Sequence, residues 1–285
     1  MATTSAPIMV PLDGSKNAEE ALPFAARLAA LYKAPILFVH VLHGEQATDS
    51  AEEFAQARAT FATYVEDVVK TRCPAPAGFE ARLFKGSPAS ELLKASKSAR
   101  FVVIASHGRG GLLATVIGSV ADKVVRGADV PVFLIPLSSE DRQPGEGPIL
   151  VALDGSEEGE AGLPLARELG KAFGSKVVLI RAYNMPPAVG VEFAPYPADF
   201  LTSLEKDAED YLRHTARPGE EALSVQSTAA EAIAQAAEDQ DAGLVVLASH
   251  GRGFVARFAL GSTTDRLIHD VKRPMLIVPI KNAEE

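Results

Sequence analysis

Val102-Val103-Ile104-Ala105-Ser106-His107-Gly108-Arg109-Gly110 runs on to Gly118-Ser119, and the pattern returns as Val245-Val246-Leu247-Ala248-Ser249-His250-Gly251-Arg252-Gly253 running on to Gly261-Ser262. Both copies read A-S-H-G-R-G, and in both nine residues separate the glycine after His from the Gly-Ser pair. At an offset of 143 the match holds without a gap from Phe101/Leu244 to Pro136/Pro279, with 13 identities in 36 positions. An apolar strand, a glycine-bearing loop and a Gly-Ser able to open a helix together present backbone N–H groups to a phosphate. The chain therefore reads as two copies of one small-ligand module, with a nucleotide as the ligand class.

The rest of the sequence extends the duplication. Val10-Pro11-Leu12-Asp13-Gly14-Ser15 recurs as Val151-Ala152-Leu153-Asp154-Gly155-Ser156, at an offset of 141. Each copy has the usual length of one domain. Between them Ser138-Ser139-Glu140-Asp141-Arg142-Gln143-Pro144-Gly145-Glu146-Gly147 is polar, with Pro and Gly and no apolar run, and reads as a linker. The expected division is 1–137 for the first module, 138–147 for the linker and 148–285 for the second.

Composition narrows the class. With 285 residues, 47% of them hydrophobic, the chain can bury two ordinary cores. A formal net charge of -9 and the lack of any basic run argue against a nucleic-acid partner. The single cysteine, Cys73, excludes an intramolecular disulfide and a Cys-rich zinc site, and suits a reducing compartment. Met1-Ala2-Thr3-Thr4-Ser5 carries no export signal, and no uncharged apolar stretch approaches the ~20 residues of a membrane span. A cytoplasmic protein without a membrane partner is expected.

Within each copy short apolar runs alternate with helical sequence. Pro7–Leu12 and Ile149–Leu153 end in Asp-Gly-Ser, as a strand feeding a loop does. Helices are expected from Ala18 to Leu31 and from Glu160 to Phe173, with Pro23 and Pro164 near their starts. Ile36–Leu42 and Lys176–Tyr183 are predominantly apolar, the mark of strands covered on both faces. A longer helix, a third strand and helix, the Val-Val strand, a fourth helix and a last strand (Val132–Leu137, Met275–Ile280) complete the unit. The fold class is α/β, two tandem doubly wound five-stranded parallel sheets with helices on both faces. Ligands of such sheets bind at strand C-terminal ends near the topological switch point, where Asp13 and Gly108 both fall.

The glycine block resembles the nucleotide signature of the universal stress protein family, G-x2-G-x9-G-[S/T], and the resemblance covers nearly the whole chain as two tandem copies. It implies a 3-2-1-4-5 sheet order and dimerisation through the last strand. It implies a stress-response regulatory protein that binds ATP with Mg2+ and turns it over little or not at all. Pro11 and Val41 would flank adenine, with Ala152 and Ala182 in their places in copy two. Asp13 and Asp154 would accept from ribose hydroxyls or the adenine amino group. Backbone N–H groups of Gly108, Gly110, Gly111, Gly251 and Gly253 would approach phosphate oxygens, with Arg109 and Arg252 neutralising charge. Gly118-Ser119-Val120 and Gly261-Ser262-Thr263 would close the site at a helix start, where the dipole favours anions, and positive φ is expected at both glycines. One departure is that the first glycine of the signature is Ala105 in copy one and Ala248 in copy two.

Other readings are weaker. Asp-Gly-Ser after a strand is also a common turn with an N-cap, and Gly-Ser a common cap. His107 and His250 read as loop-fixing hydrogen-bonders, since no carboxylate or nucleophile stands at a telling spacing, and no catalytic or metal-binding residue is assigned. There is no G-x4-G-K-[S/T], G-x-S-x-G or H-E-x-x-H. Gly251-x-Gly253-x-x-Ala256 matches a dinucleotide fingerprint in form but follows the fourth strand of its unit. A slow ATPase and a nucleotide-free interaction protein remain the alternatives. The apolar last strands, each at a sheet edge, lead to an intramolecular pseudo-dimer and then to a homodimer of chains.

Overall fold

A computed structural model describes residues 6–44, 47–73, 77–107, 117–137, 145–185, 199–250 and 261–280. Runs of branched and aromatic residues make the strands, and the first half reads β1 (Ile8–Pro11), α1 (Lys16–Glu19), α2 (Leu22–Tyr32), β2 (Ile36–Leu42), α3 (Ala51–Arg72), β3 (Phe79–Lys85), α4 (Pro88–Ser96), β4 (Phe101–Ala105), α5 (Ser119–Gly127) and β5 (Val132–Ile135). The second half repeats it as β6 (Ile149–Ala152), a 3-10 segment (Glu158–Gly162), α6 (Leu163–Phe173), β7 (Val177–Tyr183), α7 (Phe200–Thr215), β8 (Glu221–Gln226), α8 (Ala229–Asp239), β9 (Leu244–His250), α9 (Ser262–Asp270) and β10 (Met275–Ile280).

The helix expected from Ala18 to Leu31 is in fact two. Pro23 lacks an N–H and its ring meets the carbonyl four residues back, so α1 stops at Glu19 and α2 restarts with proline in its first turn. Pro164 does the same in the second half, where the 3-10 segment precedes α6.

All ten strands join one sheet, in the order β3-β2-β1-β4-β5-β10-β9-β6-β7-β8. Each half thus has the order 3-2-1-4-5, parallel throughout. The halves meet where β5 and β10 pair antiparallel, Val132 opposite Ile277, Phe133 opposite Leu276 and Leu134 opposite Met275. The intramolecular pseudo-dimer is thereby formed, and each last strand covers the apolar edge of the other.

Alternation along the strands divides the core into two layers. One lies under α2, α3, α6 and α7 and includes Leu28, Phe61, Leu169 and Leu212; the other lies under α4, α5, α8 and α9 and includes Leu92, Val124, Ile233 and Leu267. Further side chains bind the halves across the seam. Arg27 of α2 stacks on Phe173 of α6 at 4.9 Å, and Arg126 of α5 pairs with Asp122 on its own helix and with Asp265 of α9.

Candidate functional site

In each half the first strand lies between the second and the fourth, so the connections leave β1 and β4, or β6 and β9, toward opposite sides. The crevice beyond their C-terminal ends is the topological switch point. Asp13 and Asp154 sit at its lip in matching turns. Asp13 Oδ1 accepts from the Ser15 amide at 2.9 Å and from the Ser15 hydroxyl at 2.5 Å, while that hydroxyl accepts from the Ala18 amide at 3.2 Å. Asp154 repeats this with Ser156 at 2.9 and 2.6 Å, and Ser156 Oγ accepts from the Gly159 amide at 3.0 Å. The turn-and-cap reading is thus realised at both aspartates. Burial disfavours the ionised Asp154, but the Ser156 bonds and the Arg181 charge outweigh it and hold the carboxyl below its ordinary range.

Side-chain alternation sets the walls. Val41 is buried on the α4/α5 face, and Pro11, two residues after Met9, points the same way. In the second half Ala152 and Ala182 pack against the equivalent face. Val120, in the first turn of α5, borders that layer as well.

The start of α5 is tied to the end of β4, because the Gly118 N–H donates to the Ser106 carbonyl at 2.7 Å. Gly118 and Gly261 are the N-caps of α5 and α9. The expectation of positive φ there is corrected: φ is -65° at Gly118 and -55° at Gly261, since an N-cap needs only extended backbone. Glycine still matters for approach, as a Cβ built on Gly261 would meet nothing within 4 Å among the described residues and would enter the space beside the helix start. Ser119 and Ser262 are exposed and Thr263 is half-buried. The Ala105 methyl packs into the core layer below α2, and neither Ala105 nor Ala248 has positive φ. The departure from the family's first glycine is therefore absorbed within the strand.

His107 follows β4 and is buried. Its Nδ1 lies 2.9 Å from Ser106 Oγ, and its Nε2 has no hydrogen-bond partner among the described residues. Burial pushes its pKa down, toward the neutral ring. His250 ends β9. Gly108, Arg109, Gly110, Gly111, Gly251, Arg252 and Gly253 lie outside the described residues. Among the described residues no group of three His, Cys, Asp or Glu is placed to hold a metal ion.

Sequence reading missed a strut present in both halves. Tyr64 of α3 donates to Glu19 at 2.9 Å, and Tyr211 of α7 donates to Glu160 at 2.9 Å, bracing the segment that follows the aspartate turn. The repeated Glu19/Glu160, at the offset of 141, was a usable signal. The braces then diverge. Arg72 adds ion pairs to Glu19 at 3.3 Å and Glu20 at 3.0 Å, whereas the second half has Arg181 stacked on Tyr211 at 4.8 Å and packed against Gly155.

The model of the universal stress protein family matches this chain twice, over residues 5–136 and 147–279. The chain is similar to a universal stress protein of Mycobacterium tuberculosis, 27% identical over 290 residues that cover 95% of this chain and 96% of the relative. A universal stress protein from Archaeoglobus fulgidus shares its fold, with a TM-score of 0.69 and 21% identity over 97% of this chain and 99% of that one. A universal stress protein from the same organism in complex with dAMP is 29% identical over 45% of this chain and 95% of its own, with a TM-score of 0.34.

Proposed function

The chain belongs to the universal stress protein family, with two family domains in tandem, and from that premise we propose that it is a stress-response regulatory protein that binds ATP with Mg2+ at the strand C-terminal ends of one or both halves. Turnover is slight or nil. The observation that carries this reading is the recurrence, at both switch points, of an aspartate held in a turn beside a helix opened by Gly-Ser.

The residues divide the work by position. Asp13 and Asp154 take the sugar hydroxyls or the adenine amino group, while Pro11 with Val41, and Ala152 with Ala182, supply the base's apolar walls. The amides that open α5 and α9, with the glycines at 108, 110, 111, 251 and 253, receive phosphate oxygens where the helix dipole favours negative charge. Arg109 and Arg252 neutralise them further. Bound Mg2+ supplies charge compensation for the phosphates. The first half is the tighter site, because Pro11 and Val41 bury more of a ring than two alanines can.

A cytoplasmic setting accords with Cys73, a buried thiol whose pKa burial pushes up to about 11. The chain functions as its own pseudo-dimer, and any pairing of whole chains has to use a surface other than β5 and β10.

Mass spectrometry of the small molecules released on denaturing freshly purified protein, with calorimetry against ATP and Mg2+, tests the assignment. Adenine nucleotide in the extract and a binding isotherm are expected. An empty extract together with no heat of binding would overturn it.

A further inference from the structure

The two ends of the β5–β10 seam are built differently. Beside the C-terminal end of β10 and the entry to β5 lies a cavity of about 700 Å3, within the size range of small-molecule sites and at an interface between domains, where such sites concentrate. Among the described residues its apolar lining includes Val130, Pro131, Ala161, Val278 and Ile280. Its charged lining among the described residues is Arg100, Asp129, Glu157 and Glu158. None of these belongs to the candidate nucleotide site.

The duplication supplies an internal control. At the opposite end of the seam the matching positions carry Gly243 for Arg100, Lys272 for Asp129 and Lys16 for Glu157. A Cβ on Gly243 would lie 1.9 Å from the Glu146 carbonyl oxygen, the Gly243 amide donates to Pro148 O at 2.9 Å, and the Ser175 hydroxyl donates to Gly145 O at 3.1 Å. The connecting chain thus runs through the room that a counterpart of Arg100 would need. The connection is made at that end, and the cavity is what the fold leaves at the other. Its acidity is particular to it, since Asp129 and Glu157 match lysines and Glu158 matches the neutral Asn17.

We propose that this cavity binds an organic cation, a primary amine or guanidinium carried on an apolar body. Arg100 is committed elsewhere: its guanidinium lies 4.0 Å over the Tyr32 ring and 3.7 Å from Glu168. The carboxylates of Asp129, Glu157 and Glu158 then set the sign of the rim. All three are exposed, so their attraction is screened by salt. Burial of the ligand's apolar body on Pro131, Ala161, Val278 and Ile280 supplies the rest. The site does not depend on the nucleotide reading.

Calorimetry and ligand-observed NMR with phenethylamine, and with hydrocinnamate as its carboxylate counterpart, test this on the full chain. The amine should bind about tenfold or more tightly than the acid, as expected for a close charge pair, and should weaken as salt rises. Ala161→Trp should fill the cavity and abolish binding. The combined Asp129→Asn, Glu157→Gln, Glu158→Gln variant, confined to exposed positions that do not disturb packing, should weaken the amine about tenfold. Neutralising three carboxylates on α3 (Glu52→Gln, Glu66→Gln, Asp67→Asn) should change nothing. Equal binding of amine and acid, no binding of either, or equal loss in both triple variants would overturn the proposal.

Discussion

A glycine that caps α5 or α9 is replaceable on conformational grounds, because Gly118 and Gly261 have φ of -65° and -55°. The space beside Gly261 is open among the described residues, at the position the proposed phosphate end would use. Gly118→Val and Gly261→Val are therefore expected to keep the fold at a cost of about 1 kcal/mol, since valine is a poorer N-cap than glycine. Each should weaken its own site by about tenfold or more, the scale of one lost hydrogen bond to a charged group. Calorimetric stoichiometry with one site disabled decides it; full stoichiometry in both variants would show that the phosphate end has been misassigned. The residue scale was also where sequence served best. The aspartate turns and helix-opening glycines were legible from repetition, while Gly108 and Gly251 fall outside the described residues. His107 adds a pH signature. Burial lowers its folded pKa, so the unfolded chain takes up the proton more readily. The stability held by the neutral ring is then fully present above the unfolded value of about 6.5 and is lost as pH falls through it toward the folded one. The thermal midpoint should drop between about pH 7.5 and 5.5, and His107→Gln should shrink that drop; an unchanged drop in the variant would remove His107 as its source.

Secondary structure was legible from apolar runs and punctuation, and the exceptions have local causes. Pro23 and Pro164 divide what reads as one helix, a consequence available from the residue itself. The Tyr64–Glu19 and Tyr211–Glu160 struts were legible only as a repeated glutamate, because they join residues 45 and 51 positions apart. Only the fold brings those helices together. Burial and then the Glu160 bond push the Tyr211 phenol up to about 12, and the Tyr64 phenol rises for the same reasons with Glu19 as partner. Each strut is thus a neutral donor to a carboxylate, at ordinary pH. Tyr64→Phe removes one donor and keeps the ring, and should cost about 1 to 2 kcal/mol in denaturant unfolding. It should also loosen the segment after Asp13, seen as faster amide exchange there than across the matching segment of the second half. Unaltered exchange would mean that the strut braces α3 alone.

At the scale of the molecule, repetition revealed two modules, but it could not say that they would share one sheet. The apolar last strands led to pairing inside one chain, and the structure shows its form, β5 antiparallel to β10. That pairing takes β5 and β10 out of any association of whole chains, so light scattering at low micromolar concentration tests whether the expected homodimer, about twice 30.0 kDa, forms through another surface. The same geometry bears on what the linker does. Phe133 and Leu276 are fully buried at the seam, Arg27 stacks across it on Phe173, and Arg126 joins α5 to Asp265 of α9. A covalent tether raises the effective concentration of the halves without adding a contact, and the seam contacts themselves are present in either case. Cleaving the chain at a protease site placed between Ser139 and Glu140 should therefore leave a single species of unchanged mass at micromolar concentration. The two halves should separate only on dilution or denaturation. Release of half-mass fragments at once would mean that the linker, rather than the β5–β10 ladder, holds the halves together.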